Sequence, residues 1–193
     1  MGGEIYMIVL DKDLFIGKGA HKNCYIHPLN ENLCIKISRE KREKIVEKEI
    51  KYYNFLKKTG FDSSIIPKYF GTVETNFGKG HVFELIRDYD GKISKPVDYY
   101  LKKKDLYPDF LENFSALRKR MYKNNLITRK LKERNLLFKK FDEKKGEIVI
   151  IDDIGPSELI PIGLYFSFFA KKKIKRKLEE FKKKIEEVYF KNN

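Results

Sequence analysis

Short runs of β-branched and aromatic residues, each bounded by Gly, Asn or Pro, dominate the chain as far as about Tyr89. They predict strands at Ile5–Leu10, Leu14–Ile16, Cys24–Ile26, Leu33–Ile37, Gly71–Glu74 and Val82–Ile86. One helix interrupts them, from about Glu40 to Lys58, rich in Glu and Lys and followed by Gly60 as a stop signal. The segment TVETNFGKGHVFELI predicts a hairpin that turns over Asn76–Gly80. Beyond Gly91 the period changes. From Pro108 onward Phe110, Phe114, Leu117 and Met121 recur at spacings of four and three. Near the C-terminus Ile174, Leu178, Phe181, Ile185 and Val188 repeat the pattern. Two strand-like runs, Leu136–Lys139 and Ile148–Ile151, break this second half. The expectation is an α+β fold of two lobes: an antiparallel sheet with one helix over residues 1–90, then a shortened, mainly helical lobe over 91–193.

Composition narrows the class. Of 193 residues 41% are hydrophobic and 14% aromatic, enough for a packed core and against disorder throughout. Cys24 and Cys34 are too few for a disulfide scaffold, and the first residues lack the apolar run of a signal peptide, so a cytoplasmic, reducing setting is expected. The most apolar stretch, Leu159–Ala170, falls short of the roughly 20 residues a membrane-spanning helix requires. His21, His27 and His81 have no metal-ligand spacing.

The formal charge of +14 suits an anionic partner. From Lys171 to the end the chain holds ten Lys or Arg and four Glu, a net +6 of that total. Two readings fit the run from Lys171 to Lys184: an anionic membrane or nucleic-acid surface, or a helix whose apolar stripe packs inward while its lysines solvate the outside.

Candidate chemistry is spread over five elements. Gly17 and Gly19 stand in IGKGAHKNC, where missing side chains let backbone N–H groups approach phosphate oxygens. Lys36 is the single cation of the apolar run LCIKI. Helical phase places Glu49 inside the arc set by Ile45, Val46, Ile50, Tyr53 and Leu56, with Glu47 outside it. A carboxylate on an apolar stripe requires a partner, and Lys36 is the obvious one. Asn135 closes the loop LITRKLKERN, and Asp152-Asp153-Ile154-Gly155 follows an apolar run, offering hard oxygen ligands for Mg²⁺. Glycine loop, strand Lys, helix Glu, loop Asn and Asp-x-Gly in this order are what protein-kinase-like folds use.

Together the segments IGKGAHKNCYIHP, LCIKI, IPKYFGTVETNFGKGHVFELIRDYDG, NNLITRKLKERNLL and IDDIG followed by LIPI resemble the YrbL family over about Ile16 to Arg176. The resemblance implies a kinase-like fold, a link to PhoP-regulated bacterial signalling, and ATP with Mg²⁺ as ligands. Gly17 and Gly19 then match two glycines of a phosphate loop whose third is replaced by Lys22, while Lys36 matches the phosphate-binding lysine and Glu49 its helix partner. Glu84, Leu85 and Ile86 match the hinge that receives adenine, and Asn135 and Asp153, with Asp152 the alternative, match the metal ligands. The pattern departs at Lys130, where kinases place the Asp that takes the substrate proton, and at Thr128, where they place His. Only about forty residues follow Asp153, short for an activation segment and full helical lobe. The implied activity is therefore an atypical phosphotransferase or a pseudokinase acting on a signalling protein.

Overall fold

The computed structural model describes residues 7–103, 107–156 and 167–189, and the chain divides into two compact units. The first comprises Met1–Phe55 and Pro67–Ile86, the second Leu56–Ile66 and Arg87–Asn193.

In the first unit β1 (Phe15–Lys18), β2 (Lys22–His27), β3 (Asn30–Ser38), β4 (Tyr69–Thr75) and β5 (Gly78–Glu84) form one antiparallel sheet, ordered β1-β2-β3-β5-β4. Alternation along each strand gives the sheet two faces. Tyr25, Ile35, Ile37 and Val82 gather with Leu10 on one face, and Ile8, Leu14, Leu33 and Val73 pack around them. The other face carries Lys22, Cys24, Lys36, His81 and Phe83, which the register sets side by side.

Helix α1 (Glu43–Lys57) buries Val46, Glu49, Tyr53 and Leu56 and leaves Glu47 in solvent, the phase expected from the sequence. It starts at Glu43 rather than Glu40. Lys41 takes a left-handed φ of 59° and the Arg42 N–H donates to the Arg39 carbonyl at 3.0 Å, so a turn occupies the residues before the helix.

Two other expectations change. The strand at Ile5–Leu10 is reduced, among the described residues, to a single bridge from Ile8 to Thr75; Ile5 and Tyr6 lie outside them. The cause is Asn76, whose side chain accepts from the Leu10 N–H at 2.8 Å and donates to its carbonyl at 3.0 Å, satisfying groups that a ladder would have used. The hairpin turns on Asn76 and Phe77 alone, with Gly78 at a φ of 87°, because the Thr75 hydroxyl donates to the Gly78 carbonyl at 2.6 Å and closes it. Gly80 belongs to β5, where a Cβ would meet Ile35 Cγ2 at 2.6 Å.

The second unit holds a three-stranded antiparallel sheet of β6 (Lys95–Pro96), β7 (Leu136–Lys140) and β8 (Gly146–Ile150). Among the described residues its α-helices are α2 (Val97–Lys103), α3 (Tyr107–Lys123) and α4 (Ser167–Tyr189). Phe110, Phe114, Leu117 and Met121 of α3 are buried, as are Ile174, Leu178, Phe181 and Ile185 of α4, and the Phe114 and Phe181 rings meet at 5.5 Å. Burying each such side chain contributes about 1.5–3 kcal/mol. Val188, expected on the same stripe, is 52% exposed because the packed face ends one turn earlier. Arg120 ties α3 to β8 through Glu147 at 2.7 Å. The LIPI run at Leu159–Ile162 lies outside the described residues.

On α4 Lys175, Arg176, Lys182 and Lys183 each face a Glu four residues on, so much of the basic run is offset by its own helix. Among the described residues no helix is long and apolar enough to cross a membrane.

Candidate functional site

The first unit concentrates its polar chemistry on the face of the sheet that carries Lys36. Glu49, 1% exposed, accepts a hydrogen bond from Lys22 Nζ at 2.6 Å. Lys22, expected in place of a third loop glycine, is thus a cation on the helix carboxylate. Strand alternation puts Lys22 and Cys24 on one side of β2, but only the register with β3 turns that side toward Glu49. Lys36 is itself buried, with Nζ 4.7 Å from the centre of the Phe83 ring. His81, opposite Lys36 on β5, meets the Tyr69 hydroxyl through Nδ1 at 3.3 Å, and burial holds its imidazole below its ordinary pKa, with Lys22 and Lys79 acting the same way.

Cys24 and Cys34 are free thiols on this same face, and the Cys34 thiol donates to the Glu84 carbonyl at 3.9 Å. The interaction of each thiol with the other holds Cys24 above its ordinary pKa and Cys34 below it, with burial adding to the rise at Cys24 and Lys36 and Lys22 adding to the fall at Cys34. Gly17 pairs with Cys24 across the β1–β2 hairpin, and a Cβ built on it would meet nothing within 4 Å. Packing does not require glycine there; the backbone stands open to a close neighbour. Of the residues expected to border adenine, Glu84 ends β5, while Leu85 and Ile86 are buried just beyond it. The Glu84 N–H donates to Lys68 O at 2.9 Å and the Leu85 N–H to Asn32 O at 2.8 Å, so both donors are committed to the protein's own backbone.

In the second unit the loop from Thr128 to Asn135 and the turn Asp152–Gly155 are stitched together by their backbones. Arg129 N–H donates to Asp153 O at 2.7 Å, Gly155 N–H to Ile127 O at 2.9 Å and Ile151 N–H to Asn135 O at 2.9 Å. Leu126, Ile127 and Ile154 anchor both segments in the core. Asp153 sits at a φ of 60°, uncommon for a residue with a Cβ, and is 5% exposed. Its carboxylate is heavily engaged: Asn135 Nδ2 donates to Oδ2 at 3.0 Å, Arg129 Nε to Oδ1 at 3.3 Å, and Lys132 Nζ lies 3.5 Å from Oδ2.

Asn135 and Asp153 are therefore neighbours, and Arg129 and Lys132 join them without having been singled out in the sequence. Their signal was the density of cations in TRKLKERN, which does not say which cation faces a carboxylate. Asp152 is half-buried, Thr128 is buried with no hydrogen-bond partner for its hydroxyl among the described residues, and Lys130 is exposed. Glu133 accepts from Lys184 at 2.7 Å, fixing α4 to this loop; partial burial raises the Glu133 carboxyl, but the Lys184 hydrogen bond, a backbone hydrogen bond and the charges of Lys184 and Arg134 together outweigh it and leave the group below its ordinary value. Among the described residues no three His, Cys, Asp or Glu side chains cluster as a metal cage.

Comparison with known proteins gives a consistent picture. The family model described as PhoP regulatory network protein YrbL matches residues 8–186. The chain is 33% identical over 181 residues to the proteins called "Uncharacterized protein YrbL" of Escherichia coli (strain K12) and of Shigella flexneri, covering 91% of this chain and 86% of each relative.

Proposed function

Because the chain belongs to the YrbL family, we propose that it is a nucleotide-binding protein of PhoP-linked signalling, which binds Mg-ATP and conveys that occupancy to a protein partner. The observation that carries the reading is the grouping of Asn135, Arg129 and Lys132 around the buried Asp153 carboxylate. A carboxylate and an amide side chain 3.0 Å apart suit a hard cation that arrives on phosphates, since Mg²⁺ usually takes one or two carboxylates and completes its shell with water and phosphate. Two flanking positive charges favour a polyanion at the same place. Asn135 and Asp153, or Asp152 in its stead, would hold the metal, which neutralises phosphate charge when bound. Within the first unit, taken by itself, Lys36 and the open backbone of Gly17, with Gly19, are the phosphate-binding candidates, Glu49 would position Lys36, and Glu84, Leu85 and Ile86 are the candidates to border adenine. The Glu84 and Leu85 N–H groups are already used, so neither is a donor to adenine.

Lys130 favours a regulator over a kinase. It is exposed, and an ammonium offers donors only, so nothing at that position takes up a hydroxyl proton. A second reading, an atypical phosphotransferase, is favoured by Lys36, Glu49, Asn135 and Asp153 being present together. Calorimetry with ATP at moderate salt, with and without Mg²⁺, tests both readings when phosphate release is followed in the same samples. One site per chain, weakened about tenfold or more by Lys36→Ala and by Asp153→Asn, supports nucleotide binding, and turnover would promote the second reading. Absence of binding in the unaltered protein overturns the proposal.

A further inference from the structure

The nucleotide reading uses one face of the five-stranded sheet; the opposite face has a site of its own. Asn23, Tyr25 and Ile37 alternate with Lys22, Cys24 and Lys36 and so point the other way. They border a cleft of about 710 Å³, closed on one side by Phe77 of the hairpin and on another by the turn from Ser38 to Arg42. Its volume lies within the ~300–1,000 Å³ of small-molecule sites.

Two features define what it can hold. Among the described residues Arg39, Lys41 and Arg42 line it against a single carboxylate, Glu40, and none of the three cations is in an ion pair. Arg39 is held in place by donating from Nη1 to the Gly19 carbonyl at 3.2 Å. The Arg42 carbonyl accepts from the Ile45 and Val46 N–H groups, so the positive end of α1 opens beside these cations. The second feature is aromatic. The Tyr25 ring is buried, braced edge-on by Phe15 at 5.4 Å, and lies within 23° of parallel to Phe77 at 5.7 Å. Phe77 is 53% exposed and presents a supported aromatic surface to solvent.

An apolar ligand would strand the cations in a low-dielectric contact, and a bare anion would leave the aromatic surface wet. A planar ring that carries a phosphate satisfies both, through guanidinium forks on the phosphate and ring packing on Phe77. We infer that this cleft is a second ligand site, for a small organic anion in which a phosphate is borne on an aromatic ring.

The probe is phenyl phosphate, titrated into the full chain by calorimetry, with inorganic phosphate and phenol as its two halves. One phenyl phosphate should bind per chain, about tenfold or more tighter than either half. Arg39→Gln combined with Arg42→Gln should cost about tenfold in that affinity. Phe77→Ala, a change at an exposed side chain, should weaken phenyl phosphate while leaving inorganic phosphate unchanged. Lys36→Ala should leave phenyl phosphate binding intact, which separates this site from the ATP site and lets either proposal fail alone. Phenyl phosphate binding no tighter than inorganic phosphate, or lost in Lys36→Ala and kept in the Phe77 variant, would overturn the inference.

Discussion

Substituting Lys22 by Met tests whether the glycine-loop lysine holds the helix carboxylate. The Lys22 and Glu49 side chains are 4% and 2% exposed and 2.6 Å apart, so neither charge is hydrated and each is stabilised by the other. Removing one member of such a pair costs about 3–5 kcal/mol, because the remaining ion keeps its desolvation penalty. Glu49 retains further contacts, which sets the expectation at the lower end, about 3 kcal/mol. For a chain of this size that corresponds to a fall of roughly 6–12 °C in Tm. Urea denaturation followed by far-UV circular dichroism at neutral pH reads the free energy directly. Glu49→Leu should be comparably damaging. The double variant Lys22→Met with Glu49→Leu should cost clearly less than the sum of its singles, since the two changes together remove both charges of the pair. A cost below about 1 kcal/mol for Lys22→Met, the range of exposed pairs, would refute the reasoning. So would a double variant as unstable as the sum of its singles.

Gly80→Ala should destabilise by about 1–3 kcal/mol in the same assay, because the new Cβ would meet the Cγ2 of fully buried Ile35 at 2.6 Å and the Thr75 methyl at 3.2 Å; a neutral result would mean that β3 yields. The His81 imidazole is held below its ordinary pKa by burial first and Lys22 and Lys79 second. The unfolded chain therefore binds a proton at about 6.5 that the folded chain refuses, so stability is whole above that pH and declines as pH falls through it toward the folded value. His81→Gln should flatten that decline in thermal melts, and an unchanged slope would count against it. Leu178→Ala should cost about 2–5 kcal/mol and Val188→Ala less than about 0.5 kcal/mol, although both lie on one apolar stripe, because one is 3% and the other 52% exposed. Similar losses at the two sites would mean that α4 packs one turn further than described.

Much of the fold is legible in the chain because its causes are local. The spacing of Phe110, Phe114, Leu117 and Met121 decides which side of α3 is buried, and the same arithmetic puts Glu49 among Val46, Tyr53 and Leu56 before any neighbour is known. The candidate site is legible as residue types in order. Asn135 stands just before the apolar run of β7 and Asp153 just after that of β8, and the pairing of those strands brings the two together. Element ends were less legible: the start of α1 is set by the left-handed Lys41, and the shortening of the first strand, among the described residues, by one Asn side chain reaching Leu10.

By itself, then, the amino-acid order determined most of the strands, the phases of the helices and the residue types from which a site can be built, all of which depend on neighbours within a few positions along the chain. Only the tertiary structure decided which charges meet. Lys22 and Glu49 are 27 residues apart and Arg129 and Asp153 are 24 apart, and in both cases the partner was one of several nearby cations. An ion pair depends on register and burial, which a one-residue slip of a strand reverses. The basic aromatic cleft has the same origin: alternation divides β2 and β3 between two faces, but the folded hairpin and the turn before α1 are what bring Phe77 and three arginine and lysine side chains around one of them.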